Sequence, residues 1–261
     1  MGFETISVHK REGVLNITLD RLPNRNSINC ALLWELNQAL DIACEDSVCK
    51  VVILEGKNGI FCTGMDFAEV TQNHTKDQEQ DRTLSETYMK TLKRISLVPK
   101  VFISNIDGQV IAGGVGIACA SDFVIATGRS QFSLSEGLWG LLPAMVTPFL
   151  IRRVGFQKAY TLTLSTLPMN AQEAFGCGLV DAVSDNPDIE IRRLLQRILK
   201  IEEDTIFNIK KYYRDMWIIN DEMERRAVDE TAQRVSSPQV RSNIENYIKY
   251  KKFPWEDKPL L

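Results

Sequence analysis

Three short runs of mostly apolar residues, with helical patterns between them, constrain the fold of this chain more than any other feature. The runs KVVILEG, KVFISNI and DFVIAT cover residues 50–56, 100–106 and 122–127. Continuous apolar runs of this length are typical of strands that are buried on both faces of a sheet. Because strand and helix patterns alternate along the chain, we predict an α/β fold with a mostly parallel sheet and crossover helices.

A β-hairpin followed by a helix is predicted at the N-terminus. Residues 4–9 and 14–20 alternate polar and apolar positions around a Glu-Gly turn. The segment ALLWELNQALDIAC then repeats its apolar positions at helical spacing, and either Asn29 or Ser27 would cap this helix.

The C-terminal part is predicted to be helical. Residues 187–252 carry amphipathic patterns, and the apolar stripe of such a helix must be buried against a neighbouring element or another subunit. We therefore divide the chain into a core of residues 1–190 and a C-terminal helical region of residues 191–261.

Composition and charge exclude several classes of function. The 261 residues are 44% hydrophobic and 25% charged, as in an ordinary globular protein, and the net charge of -3 offers no field for nucleic acid. No apolar run is long enough to cross a bilayer, and the first residues lack the apolar core of a signal peptide. We expect a cytoplasmic protein that contacts neither nucleic acid nor a membrane.

The cysteines and histidines give little material for a metal site or a catalytic triad. The six cysteines show no CxxC spacing, so free thiols are expected in a cytosolic chain. The two histidines are His9, in a predicted edge strand, and His74, in a polar loop. We predict no metal site.

A polar stretch of mixed charge covers residues 69–86 and leads into a helix predicted at 84–97. The composition is typical of a solvated loop, which is either a lid over a site or plain surface.

The segment that follows the second apolar run carries the features of an active site. Gly113 and Gly114 stand at the start of a predicted helix, where unpaired N–H groups point toward a negative oxygen. Glu136 lies among apolar residues, and a carboxyl group in an apolar pocket has a raised pKa that suits acid/base work. The alternatives are close backbone packing for the glycines and a solvent-facing side chain for Glu136.

A second close approach of the backbone is expected at Gly64, just before Met65 and Asp66 at the start of another predicted helix. Asp66 is most simply the cap of that helix.

Four segments together carry a resemblance to a known family: IFCTGMDF, NIDGQVIAGGVGIACASDF, QFSLSEGLWGLLPA and NAQEAFGCGLVDAV. In their order and spacing they are similar to those of the crotonase (enoyl-CoA hydratase/isomerase) superfamily, over about residues 4–250. The resemblance implies a crotonase fold: a spiral of ββα units with a C-terminal helical region for trimer packing. It also implies thioester substrates, with the oxyanion hole formed by the amides of Met65 and Gly113.

The chain departs from the family pattern at one of two glutamate positions. The hydratases of the family carry glutamates at the positions of Gly116 and Glu136, and only the second is present here. Ordinary hydration of fatty enoyl thioesters is therefore not expected. The remaining Glu136 is implied to be the catalytic acid/base at the α-carbon of the thioester.

Further segments, among them TPFLIRRVGFQKAY and the terminal FPWED, resemble the PksH-like dehydratases of bacterial polyketide β-branching cassettes. This resemblance implies dehydration of a 3-hydroxy-3-methylglutaryl group on an acyl carrier protein to the 3-methylglutaconyl thioester. It implies a homotrimer or hexamer and a partner decarboxylase of the same superfamily. No cofactor is expected, because the substrate is carried as a phosphopantetheine thioester.

The predicted substrate pocket contains five residues besides the predicted catalytic and oxyanion residues. Its predicted members are Gly64, Gly114, Gly116, Trp139 and Leu142. Trp139 and Leu142 fit a core position as well as a pocket wall.

Basic residues complete the sequence predictions. Arg152 and Arg153 are expected to be a solvated pair on a helix, with contact to the distal carboxylate of the substrate as the alternative. An acidic carrier protein would dock on basic residues at the pocket mouth, and the candidates are Arg21, Arg25, Lys57, Lys249, Lys251 and Lys252.

Two other functions remain compatible with the sequence. An enoyl isomerase operates with one glutamate at the Glu136 position, and a crotonase-fold scaffold subunit would have no turnover.

Overall fold

The computed structural model describes residues 2–72, 78–217 and 219–256. The strands are β1 (Ile6–Arg11), β2 (Val14–Leu19), β3 (Val51–Gly56), β4 (Ile60–Cys62), β5 (Val101–Ile106), β6 (Gln109–Ile111), β7 (Phe123–Ala126), β8 (Gln131–Ser133), β9 (Met169–Asn170) and β10 (Ala182–Val183). The helices are α1 (Cys30–Glu45), α2 (Phe67–Gln72), α3 (Gln78–Leu97), α4 (Gly113–Ala120), α5 (Glu136–Trp139), α6 (Thr147–Val154), α7 (Phe156–Ser165), α8 (Ala171–Gly176), α9 (Pro187–Ile198), α10 (Glu203–Asp215), α11 (Asp221–Val235) and α12 (Pro238–Tyr250).

The larger sheet has the strand order β1-β2-β3-β5-β7-β10 in the described residues. Strands β1 and β2 form an antiparallel hairpin, and the remaining neighbours pair in parallel. The predicted hairpin, the mostly parallel sheet and the α/β class are confirmed.

The smaller sheet has the order β4-β6-β8-β9, with β4, β6 and β8 parallel. Strand β3 of the larger sheet is followed by β4 of the smaller one and then by helix; β5, β6 and α4 repeat this order, as do β7, β8 and α5. Each repeat is a ββα unit, so the predicted crotonase fold is confirmed.

Both faces of the larger sheet are covered, which explains the continuous apolar runs. In β3, Val52 and Leu54 face one hydrophobic core, while Val51 and Ile53 face another. The first core contains side chains of α1, α3 and α4, and the second is closed by α9 and α10. A strand buried on both faces needs apolar residues at every position rather than at alternate ones.

The helix after the hairpin begins where the sequence places it. Asn29 is its cap, because its side chain accepts a hydrogen bond from the amide of Leu32.

The polar stretch 69–86 is more helical than predicted. Its described residues lie in α2 and α3, and Asp81 and Ser85 are buried. The loop prediction is therefore wrong for these residues, and the buried Asp81 pairs with Arg241, whose side chain is 24% exposed. His74 lies outside the described residues.

The helices after residue 190 wrap the core. Helices α10 and α11 pack on α3, and α12 packs on α2 and α5. The boundary at residue 190 stays a prediction. Among the described helices, none combines the length and the apolar character that a bilayer crossing needs.

The solvated-pair prediction is wrong for Arg153, whose side chain is 7% exposed, whereas Arg152 is exposed but also bound through its guanidinium. Arg152 donates to the carbonyls of Cys119 and Ser121, and Arg153 donates to the carbonyl of Ser121 and pairs with Asp181. These carbonyls lie at the C-terminal end of α4, where cations are favourable because the helix dipole is negative there.

Candidate active site

A cavity of about 590 Å³ lies where the start of α4, the segment before α2, and helices α3, α5 and α12 meet. Of the sequence-predicted site residues, Met65, Gly113, Glu136, Trp139 and Leu142 line this cavity. The structure therefore brings the predicted base and both predicted oxyanion donors to one cavity.

The other predicted pocket residues, Gly64, Gly114 and Gly116, pack behind the described part of the cavity wall. A Cβ on Gly114 would overlap the carbonyl of Cys62, and a Cβ on Gly64 would lie 2.7 Å from that of Ala112. Gly64 and Gly114 permit close packing of neighbouring chain segments, and a place for the three glycines in the substrate pocket stays a prediction.

Met65 is held by a short parallel bridge to Ile28. The amide of Ile28 donates to the carbonyl of Gly64 at 2.6 Å, and the amide of Asp66 donates to the carbonyl of Ile28 at 2.9 Å. Because alternate residues of an extended segment point their amides to opposite sides, the amide of Met65 faces away from Ile28. That leaves it available to a ligand in the cavity.

Gly113 follows a sharp turn in the backbone. Ala112 has φ 50° and ψ -118°. Residues other than glycine rarely adopt this backbone conformation, which costs roughly 1–3 kcal/mol. The turn takes the chain directly from β6 into α4, so the amide of Gly113 lies in the first helical turn, without an intrahelical carbonyl. Gly64 packs against this amide, so the Met65 and Gly113 donors are neighbours.

Glu136 is the first residue of α5 and is only 8% exposed. Burial raises the pKa of its carboxyl group from 4.5 to about 7, and Oε2 has no hydrogen-bond partner among the described atoms. The alternative of a solvent-facing side chain is excluded. A buried carboxyl with a free oxygen and a pKa near neutrality has the properties of an acid/base group.

Asp66 caps α2, as predicted. Its Oδ1 accepts from the amides of Ala68 and Glu69, while Oδ2 pairs with the guanidinium of Arg21. Arg21 also donates to the hydroxyl and the carbonyl of Ser27. This network ties together the two chain segments that form the Met65 bridge.

Tyr88 is a site residue that the sequence analysis missed. It lies on α3, is 5% exposed, lines the cavity, and donates from its hydroxyl to the carbonyl of Gly113 at 2.6 Å. Its only sequence signal is a place in the apolar stripe of a helix, which ordinarily indicates core.

Trp139 is both core and pocket wall. Its ring packs edge-on against Phe67 at 4.7 Å, Tyr247 at 5.2 Å and Trp255 at 5.6 Å. Tyr247 comes from α12 and Trp255 from the segment after it, so the C-terminal end of the chain closes one side of the cavity. Leu142 is 43% exposed at the same cavity.

The predicted docking cations are not equivalent. Arg21 is excluded, because its side chain is 17% exposed and pairs with Asp66. Lys57 pairs with Asp20, and Arg25 lines the cavity and bonds to Gln109. Lys251 lies beside the cavity-lining Tyr247, with its ammonium 5.3 Å from the ring centre.

Several known proteins are similar to this chain in sequence and in fold. The family pattern described as enoyl-CoA hydratase/isomerase matches residues 9–258. The chain is 37% identical to the bacillaene synthase dehydratase PksH of Bacillus subtilis over 255 residues, covering 98% of each chain. It is 26% identical to the trans-2-decenoyl-[acyl-carrier-protein] isomerase of Streptococcus mutans, covering 83% of each.

Among solved structures, a polyketide biosynthesis enoyl-CoA hydratase (PksH) from Bacillus subtilis superposes with a TM-score of 0.87. The two are 36% identical, and the match covers 97% of this chain and 100% of that one.

Proposed function

The chain belongs to the enoyl-CoA hydratase/isomerase family, and from that premise we propose that it is a dehydratase of a polyketide pathway. Its proposed substrate is a 3-hydroxy-3-methylglutaryl group carried on an acyl carrier protein, and the product is the 3-methylglutaconyl thioester. The observation that carries the proposal is the buried carboxyl of Glu136 in one cavity with the Met65 and Gly113 amides.

The proposed reaction begins with polarisation of the thioester. Its carbonyl oxygen accepts from the amides of Met65 and Gly113, which stabilises the enolate that forms when the α-proton leaves. The loss of one such donor typically lowers the rate about a hundred- to a thousandfold. Glu136 takes the α-proton, the bond from C3 to its hydroxyl breaks, and the new Glu136 carboxylic acid can return the proton to the departing oxygen.

The single carboxylate distinguishes this site from the two-glutamate site of the ordinary enoyl hydratases of the family. Gly116 stands where the hydratases of the family carry their second glutamate, and without it a nucleophilic water has no second carboxylate to hold it. Because hydration and dehydration share one transition state, the proposed direction rests instead on the likeness to the bacillaene synthase dehydratase PksH.

Replacement of the base tests the proposal. Glu136→Gln keeps the shape of the side chain but removes its basicity, so we expect dehydration of the carrier-bound substrate to fall about a hundred- to ten-thousandfold, with binding largely retained. Mass spectrometry of the carrier protein measures the loss of water directly. Near-full dehydration by the variant would contradict the role of Glu136.

An enoyl isomerase is the second candidate, favoured by the single carboxylate and by the likeness to the isomerase of Streptococcus mutans. Separate assays with a 3-hydroxy thioester and a 3-enoyl thioester distinguish the two, because only the dehydratase releases water. Failure of both substrates would favour a scaffold subunit without turnover.

The assembly and pathway partners form part of the same proposal. Exposed apolar side chains on and after α7, among them Phe156, Leu164 and Leu167, support a homotrimer or hexamer, because such side chains are usually covered by a subunit. Light scattering tests this state. A decarboxylase of the same superfamily would consume the product.

A further inference from the structure

The space beside Gly116 is occupied by a polar group from another helix. A Cβ on residue 116 would overlap the hydroxyl of Tyr88 and would lie 2.9 Å from Cγ2 of Val146. The Tyr88 hydroxyl thus occupies the volume that the Cβ of a side chain on residue 116 would need. The site that lacks the second carboxylate contains a phenol in its place.

Tyr88 is placed to act on a ligand. It lines the same cavity as Glu136, and its pKa is raised mainly by burial and further by the charges of Cys62 and Glu136. The pKa of Tyr88 lies well above its ordinary value, so the hydroxyl keeps its proton at neutral pH. It is a neutral hydrogen-bond donor facing a cavity with one basic carboxylate.

The carbonyl of Gly113, which accepts the hydrogen bond from Tyr88, does not need this bond to remain paired. The carbonyl of Gly113 accepts from Tyr88 at 2.6 Å, but Gly113 is also the first residue of α4. In an α-helix, that carbonyl accepts from the amide four residues later. The hydroxyl proton can therefore rotate toward a ligand without leaving the carbonyl unpaired.

We propose that Tyr88 is a second catalytic residue of this site, whose hydroxyl donates a hydrogen bond to the C3 oxygen of the substrate as that oxygen departs. The inference rests on the proposed dehydratase function. It assigns a donor to the leaving group, whereas the Met65 and Gly113 amides act only on the thioester carbonyl.

The step balances with Tyr88 keeping its proton. The Cα–H and C3–O bonds break, the Cα–C3 double bond forms, and the proton taken by Glu136 passes to the departing oxygen to complete water. Glu136 returns to the carboxylate, and Tyr88 stabilises the negative charge on the oxygen while the C3–O bond breaks. Such charge-assisted hydrogen bonds are stronger than neutral ones.

The test compares two reactions in Tyr88→Phe. The first is dehydration of 3-hydroxy-3-methylglutaryl carrier protein, which requires departure of the C3 oxygen. The second is exchange of the α-proton with D₂O in 3-methylglutaryl carrier protein, which has no C3 hydroxyl and needs only Glu136 and the oxyanion donors. Tyr212→Phe is the matched control, because Tyr212 is exposed on α10, away from the cavity.

We expect Tyr88→Phe to lower kcat for dehydration about 10- to 100-fold while α-proton exchange stays within about twofold of the wild type. If both reactions fall together, Tyr88 acts through Gly113 on the oxyanion hole, and the proposal is overturned. Unchanged dehydration overturns it as well. If the wild type exchanges the α-proton but does not dehydrate its substrate, the dehydratase function itself fails.

A second variant keeps the proposal testable if Tyr88→Phe folds poorly. In Gly116→Ala the new methyl group would overlap the Tyr88 hydroxyl and displace it from this position, so dehydration should again fall more than exchange. Equal loss of the two reactions in Gly116→Ala would contradict the proposal.

Discussion

At the level of single residues, the chemistry of this site depends on where a carboxyl group is buried. Glu136 faces a wall of apolar side chains, and burial raises its pKa to about 7. A carboxylate with this pKa is a stronger base than an exposed one, yet a useful fraction is still ionised at neutral pH. The raised pKa thus suits the proposed removal of a weakly acidic α-proton.

The pKa of Glu136 predicts the pH dependence of the reaction. The base must be ionised, so kcat/KM for dehydration should rise with pH through about 7 and level off above it. Initial rates across pH 5 to 9 measure the midpoint of this rise. The residual activity of Glu136→Gln serves as the control, because it should not rise with pH in this range. A midpoint near 4.5, the ordinary value for glutamate, would show that the carboxyl is solvated in solution.

At the level of elements, the proposed oxyanion donors lie on two short segments that contacts with the rest of the fold hold in place. Helix α4 presents Gly113 at its start, while Arg152 and Arg153 bind carbonyls at its end. The segment around Met65 is fixed by the bridge to Ile28 and by Asp66. Neither donor lies on a free loop, so the distance between the amides is fixed before the substrate arrives.

Asp66→Asn tests the second of these supports. The amide side chain can still cap α2, but Arg21 loses its charged partner while remaining largely buried. We expect a loss of about 1–3 kcal/mol in the free energy of unfolding and a lower kcat/KM, because the Met65 bridge loosens. Urea denaturation and initial rates measure the two effects.

The control is Asp215→Asn, which removes an exposed i,i+4 pair with Lys211 and should cost less than about 1 kcal/mol. Asp66→Asn with the stability and activity of the wild type would show that the network does not hold the oxyanion segment.

The same elements show what the sequence could predict. The glycines at residues 113–114 and the buried Glu136 could be predicted from the local sequence. Adjacent glycines indicate a close approach of the backbone, and apolar neighbours indicate a buried carboxyl group. Arg153, by contrast, was predicted to be solvated because its partners, the carbonyl of Ser121 and the carboxylate of Asp181, are distant in the sequence. Tyr88 was missed for the same reason, because only the folded chain places its hydroxyl beside Gly116.

At the level of the whole molecule, the fold repeats although the sequence shows no repeat. Each ββα unit adds one strand to each sheet and brings the start of its helix toward the cavity. The units differ in length and in their connections, which leaves no fixed period for the sequence to display. The parallel sheet was predictable from the apolar runs and the ββα units from the family resemblance, whereas the division into two sheets was not predicted.

The C-terminal end of the chain also places positive charge at the cavity. Helix α12 ends beside the aromatic cluster of Trp139, Tyr247 and Trp255, and Lys251 follows directly. Arg25 lies among the cavity-lining residues, so both cations lie where the proposed acidic carrier protein would deliver its thioester.

Charge reversal at Lys251 separates docking of the carrier from chemistry. With the acyl group on its carrier protein, Lys251→Glu should lower kcat/KM about three- to tenfold at low salt, and the difference should shrink as salt screens the charges. With the same acyl group on free pantetheine, the variant should match the wild type, because no protein surface has to dock. Lys200→Glu makes the same change of charge after α9, outside the cavity lining, and should leave both substrates unaffected. Equal losses on both substrates would place the effect of Lys251 in the cavity wall through Tyr247, and rates that do not change with salt would exclude electrostatic docking at this mouth.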